Sequence, residues 1–169
     1  HIERHKTINK YTDAKFKLLK NQFKGHVAFV KKNDFLIKKK LKRNKYKSKV
    51  IKVNIKNINK FLKKINNKYF LKERNKENLS FVLEISKKLK LKNSPLIKTI
   101  QNFKGLKYRQ QIIFKKKNLT IINDSKSTSF SSSIGILKAH HNIYWLLGGI
   151  HKRGDKFNDQ KKYFNNIEA

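Results

Sequence analysis

The sequence predicts an α/β protein in two parts that meet near residues 105–108. Three observations carry this. Ahead of Gly105, apolar residues recur at helical spacing in several separate stretches. Beyond it, two short apolar runs alternate around Lys115-Lys116-Lys117-Asn118, the pattern of a hairpin. Further on, Ile121-Ile122 stops abruptly in the polar cluster Asn123-Asp124-Ser125-Lys126-Ser127-Thr128, and the apolar run over 143–147 ends in Gly148-Gly149. A strand, a polar loop, a helix and a second buried strand make a βαβ unit. Ligands of such sheets bind beyond the carboxyl ends of the strands, so the polar cluster is the first candidate for chemistry.

The elements follow in order. Residues 9–22 read as a helix, with Tyr11, Ala14, Leu18 and Leu19 on one stripe, Lys15 beside it and Gly25 ending it. Residues 26–30, 35–37 and 50–53 are short strand candidates, and the basic run 38–49 is a solvated hairpin or loop. Residues 55–65 place Ile55, Ile58, Phe61, Leu62 and Ile65 on one helical face, and residues 78–89 repeat the pattern with Leu79, Val82, Leu83, Ile85 and Leu89. Ser94-Pro95 is a helix start, since serine caps and proline is tolerated in the first turn. After the hairpin over 111–122 come a helix over 131–140, a buried strand over 143–147 and a helix starting at Gln160.

Composition bounds the partners. In 169 residues, 44 are Lys or Arg and 10 are Asp or Glu, a formal charge of +34. Such a balance suits phosphate neutralisation, and a basic nucleic-acid-binding protein is the alternative reading. Against it, the lysines are scattered along the whole chain with abundant Asn and Ile, three residues that share A/T-rich codons, and arginine is scarce. Cysteine is absent, which excludes disulfides and thiolate metal sites. No apolar run approaches the ~18 residues that span a bilayer. The chain holds no methionine, opens on His1 and closes on Ile167-Glu168-Ala169, and is expected to be a piece of a longer, cytoplasmic protein.

Each polar group also has a plain structural reading. The cluster over 123–128 can be an Asx-turn followed by a cap at Thr128 or at residues 131–133. Gly148-Gly149 can be a strand-end turn or a place where backbone approaches a ligand. His1, Glu3, Arg4 and His5 are as readily solvated as metal-bound, and His140-His141 make a poor metal pair.

Taken as an ordered set, the motifs resemble the Mur ligase family, and within it the branch that adds D-glutamate. Residues 102–109, Asn-Phe-Lys-Gly-Leu-Lys-Tyr-Arg, are similar to that family's F-x-G-L-x-H-R junction, and residues 122–128 to its I-N-D-S-K-A-T. Residues 146–157 are similar to L-L-G-G-x-x-K-x-x-D-F, with one residue inserted at Lys156. Arg74-Asn75-Lys76-Glu77-Asn78 resembles H-N-x-x-N, residues 1–5 the tail of D-H-L-D-R-H, and residues 11–15 Y-x-x-A-K. Arg74 and Tyr108 stand in place of histidines, and Ser127 and Ser129 in place of alanine and asparagine. The phosphate-cradling G-K-[ST] loop is absent.

The resemblance implies the C-terminal part of a central ATPase domain over residues 1–105, without its P-loop. It implies the first βαβ portion of a Rossmann-like domain over 106–169. The implied reaction joins D-glutamate to UDP-N-acetylmuramoyl-L-alanine through an acyl phosphate, with ATP and magnesium. It implies no specific nucleic acid, no membrane and a monomer when complete. His1 and Lys15, the latter as a carbamate, would hold the metal. Asn75 and Asn78 would meet adenine, Arg109 and Asp124 the ATP phosphate and ribose. Lys126, Thr128 and Lys152 would serve the phosphates and the incoming amino acid, and Lys15, Arg109 and Lys126 would be catalytic.

Overall fold

The computed structural model describes residues 2–150 and 157–169 and is a mixed α/β arrangement. The chain divides into two compact units, His1–Lys104 and Gly105–Ala169.

The first unit begins with a short helix α1 (Ile2–His5) and helix α2 (Ile8–Lys20), whose cap Thr7 accepts from the Lys10 N–H at 3.2 Å. Its buried stripe is Thr12 and Phe16, one turn apart. Leu18, expected on the inner face, is 70% exposed.

Strand β1 (Val27–Lys31) runs parallel to β2 (Lys49–Val53), paired from Val27 with Lys49 through Lys31 with Val53. Two parallel strands cannot be joined by a tight turn; they need a crossover. The crossover is helix α3 (Phe35–Arg43), which corrects the expectation of a strand over 35–37 followed by a basic loop. Asp34 decides the matter locally. Its Oδ1 accepts from the Ile37 N–H at 2.9 Å and starts the helix. The lysines of α3 then lie on a half-exposed helix, with Lys40 paired to Asp13 of α2. That lysine holds the Asp13 carboxyl below its ordinary value.

The expected helix over 55–65 breaks in two, a 3-10 helix Ile55–Ile58 and helix α4 (Asn59–Ile65). The apolar face survives the break: Ile58 and Ile65 are buried, with Phe61 and Leu62 packed beside them. A second 3-10 helix, Lys68–Leu71, leads into helix α5 (Glu73–Lys88), which starts five residues earlier than its apolar pattern. Helix α6 (Asn93–Gln101) has Lys92 at its cap position with no side-chain bond, so Ser94 is inside the first turn and is not the cap.

The core of this unit is Ile58, Ile65, Phe70, Leu79 and Ile100. Around it, the rings of Tyr69, Phe70 and Phe103 meet pairwise at 5.0, 5.2 and 5.7 Å. Asn67 fastens the assembly. Its Nδ2 donates to the carbonyls of Ile100, Gln101 and Phe103 at 2.8, 3.1 and 2.9 Å, and its Oδ1 accepts from the Tyr69 N–H at 3.0 Å. These carbonyls lie at and just beyond the end of α6, where intrahelical donors run out.

In the second unit, strands β3 (Gln111–Lys116) and β4 (Leu119–Asn123) form the expected hairpin, antiparallel, with an irregularity between Ile112 and Phe114. Helix α7 (Phe130–Ala139) follows, and a 3-10 helix covers Phe157–Asn166. The βαβ unit expected over 121–149 does not form among the described residues. β4 pairs only with β3, and residues 143–147 contribute a single parallel bridge, Ile143 to Ile167. A parallel strand buried on both faces needs backbone partners and a layer on each side. Here the run lies open, with Tyr144 76% and Leu146 98% exposed. Ile143 and Trp145 are half-buried, the Trp145 ring 6.2 Å from Phe130 and 6.3 Å from Phe164.

Asn67→Ala is expected to destabilise the first unit by about 2 kcal/mol, the scale of several lost bonds to helix-end carbonyls. Asn67→Asp, which sets carboxylate oxygen against three carbonyls, is expected to do at least as much harm. Urea unfolding followed by far-UV circular dichroism measures both.

The Tyr46 hydroxyl is buried without a hydrogen-bond partner among the described residues, and its ring lies 6.0 Å from Phe16. Burial, with the Asp13 carboxylate adding to it, raises its pKa above 10.0. A raised pKa gives stability that is whole below the ordinary tyrosine value and declines as pH climbs past it. Tyr46→Phe is therefore expected to match or exceed the parent at neutral pH, by up to about 1 kcal/mol. Its advantage should widen as pH rises past about 10, the ordinary tyrosine value, read from urea midpoints.

Candidate functional site

The polar loop after β4 is held by its own carboxylate. Asp124 Oδ1 accepts from the Gln110 N–H at 2.9 Å, and Oδ2 accepts from the Ser127 hydroxyl at 2.6 Å. The Asp124 carbonyl takes the Ser127 N–H at 2.8 Å, and Asn123 Oδ1 takes the Ser125 N–H at 3.1 Å. These are the local side-chain-to-backbone bonds that Asx sequences favour.

The loop is also tied to the segment ahead of β3. The Lys126 N–H donates to the Tyr108 carbonyl at 3.0 Å, and the Tyr108 N–H donates to Gln111 Oε1 at 3.0 Å. Arg109 sits between two residues in the left-handed region, Tyr108 at φ 63° and Gln110 at φ 47°. Such backbone is uncommon away from glycine and persists where surrounding bonds impose it. The bonds here are those of Asp124 and Lys126. Two sequence motifs separated by a hairpin thus form one surface, with the side chains of Arg109, Lys126 and Thr128 exposed beside the half-buried Asp124. The helix that follows opens at Ser129, whose hydroxyl bonds those of Ser131 and Ser132 at 3.0 and 2.6 Å and caps no backbone group.

Gly149 has φ 101°, and a methyl placed on Gly148 or Gly149 would meet nothing within 4 Å. The need at 149 is conformational, so close packing does not explain either glycine. Lys152, expected to serve the phosphates, lies outside the described residues, as does His1.

In the first unit, Asn75 and Asn78 lie one turn apart at the start of α5. Asn78 is exposed, whereas Asn75 Nδ2 donates to the Tyr69 carbonyl at 2.8 Å, so part of its amide serves the fold. Lys76 between them lines a cavity of about 300 Å³. This cavity lies beyond the carboxyl ends of β1 and β2 and also draws on Lys31, Lys32 and Lys56. Lys31 pairs with Glu77 at 2.7 Å and ties the end of β1 to α5. Periodicity missed this place because the helix between β1 and β2 was hidden in the basic run. Asp34 ahead of it was the available signal.

Lys15 is exposed on α2, its Nζ 5.5 Å from the centre of the Tyr11 ring one turn earlier. Magnesium takes oxygen ligands at near-octahedral geometry. Among the described residues, no three His, Cys, Asp or Glu side chains gather where a metal could sit. Asp13, two residues from Lys15, is committed to Lys40. No helix among them is long and apolar enough to cross a membrane.

The chain matches no family model, and no solved structure matches it. It does match curated proteins. It is 39% identical over 80 residues to the UDP-N-acetylmuramoylalanine–D-glutamate ligase of the Wolbachia of Brugia malayi, covering 47% of this chain and 16% of that protein. The ligase of the same name from Rickettsia prowazekii is 37% identical over 94 residues, 56% of this chain and 21% of the relative. That of Francisella tularensis subsp. mediasiatica is 34% identical over 161 residues, 92% of this chain. The chain spans only 36% of the length of this last relative.

Proposed function

Since the chain belongs to the Mur ligase family and matches a stretch of its UDP-N-acetylmuramoylalanine–D-glutamate ligases, we propose that it carries part of the site of an ATP-dependent amide-bond ligase. The observation that supports this most is the pair of bonds Gln110 N–H to Asp124 and Lys126 N–H to Tyr108. They set Arg109, Asp124 and Lys126 on one loop surface, two cations beside one carboxylate.

In the proposed reaction the carboxylate of UDP-N-acetylmuramoyl-L-alanine attacks the γ-phosphorus of ATP and ADP leaves. The amine of D-glutamate then attacks the acyl phosphate and displaces inorganic phosphate. Cationic groups preorganised where negative charge develops are the main protein contribution to such transfers. Arg109 and Lys126 are exposed and held at their backbones, which suits that role. Asp124 keeps lone pairs beyond those used by Gln110 and Ser127, enough to accept from ribose hydroxyls. Asn75 and Asn78 are assigned to adenine, and Thr128, with Lys126 and Lys152, to the phosphates and the incoming amino acid. His1, Lys15 and Lys152 complete the proposed set on the strength of the family motifs alone. A cytoplasmic location belongs to the same reading.

Two outcomes test it. Titrating ADP into ¹⁵N-labelled protein is expected to shift the amide signals of Arg109 and residues 124–128, and those of residues 75–78. Signals that stay unmoved at millimolar nucleotide would refute nucleotide binding here. With all three substrates present, the 169-residue chain is expected to release no phosphate above background. Turnover near that of a complete ligase would show that the catalytic machinery is whole within it.

A further inference from the structure

We propose that Ser127 is a positioning residue for Asp124. The proposal rests on the nucleotide-binding reading above for its consequence, and on the loop geometry for its cause. The motif this loop resembles carries alanine where this chain has Ser127. The substitution adds one hydroxyl, and that hydroxyl is half-buried and donates to Asp124 Oδ2 at 2.6 Å.

A carboxylate on a loop has two torsions to settle. The Gln110 N–H holds one oxygen from across the hairpin, at 2.9 Å. A single donor leaves the carboxylate plane free to rotate about its own axis. A second donor on the other oxygen, from three residues further along the loop, fixes the plane. Bonds to an ionised acceptor are the stronger kind. Ser127 therefore restrains the rotation of Asp124 and, through Gln110, the left-handed backbone that carries Arg109. The turn itself does not need the hydroxyl. The Ser127 N–H to the Asp124 carbonyl, 2.8 Å, closes it and is available to any residue but proline. This separates positioning from mere folding: removing the hydroxyl leaves the turn and loosens the carboxylate.

Ser127→Ala and Ser127→Thr in the full 169-residue chain decide the matter. The alanine variant is expected to keep its melting temperature and its Ser127-position amide protection. Its Gln110 amide should exchange with solvent about threefold faster, and ADP affinity should fall by about threefold to tenfold. The threonine variant restores both. Unchanged Gln110 exchange in the alanine variant would overturn the proposal, whatever happens to ADP. If none of the proteins binds ADP while the exchange pattern appears as described, the positioning stands and the nucleotide reading falls.

Discussion

The first unit depends on one amide. Asn67 stands at the junction of α4, the 3-10 turn before α5 and the end of α6, and bonds backbone in all but the first of these. Its donors meet carbonyls at and just beyond the end of α6, beside the packed rings of Phe70 and Phe103. Few side chains do this work. An acceptor-only group would repel the carbonyls, and an apolar one would leave them unmet. Leucines and isoleucines supply the area of the core, but the direction in which α6 leaves is set by a polar contact. The ion pair of Lys31 with Glu77 then relates that bundle to the parallel strands.

How much of this the sequence disclosed depends on what kind of force shaped each element. Helices α2, α5, α6 and α7 and the β3–β4 hairpin were legible because apolar period and turn residues act over a few positions. The helix over 35–43 was not, because its residues are mostly lysine and a solvated helix leaves a weak apolar imprint. The strand expected over 143–147 failed in the opposite direction. Its residues are apolar enough for burial, but strands also need partners distant in the chain, and among the described residues only the short tail 166–169 supplies them, as a bridge rather than a ladder.

The candidate loop was legible as a cluster of polar groups, not as a mechanism. Motif order pointed to Arg109 and Asp124 as members of one site. Nothing in the residue string said that Asp124 would fasten the backbone after Arg109 and the Lys126 N–H the backbone before it, since both bonds cross the hairpin. The reverse holds for Lys15. Its motif is clear, yet it lies exposed on a helix beside a tyrosine ring. The difference is geometric. A loop bonded to itself shows its organisation within one unit, whereas a lone lysine on a helix shows only where it starts from.

The β3–β4 hairpin has a colloidal consequence. Ile112, Ile113 and Leu119 are each more than half exposed on a two-stranded sheet, with Lys115, Lys116 and Lys117 at its tip. Naked strand edges of this sort invite pairing with another molecule. Mutual repulsion between chains of charge +34 opposes that pairing at a distance. The repulsion reaches about 30 Å in dilute salt and only about 8 Å at physiological ionic strength. Ionic strength then governs how long such molecules stay apart in solution.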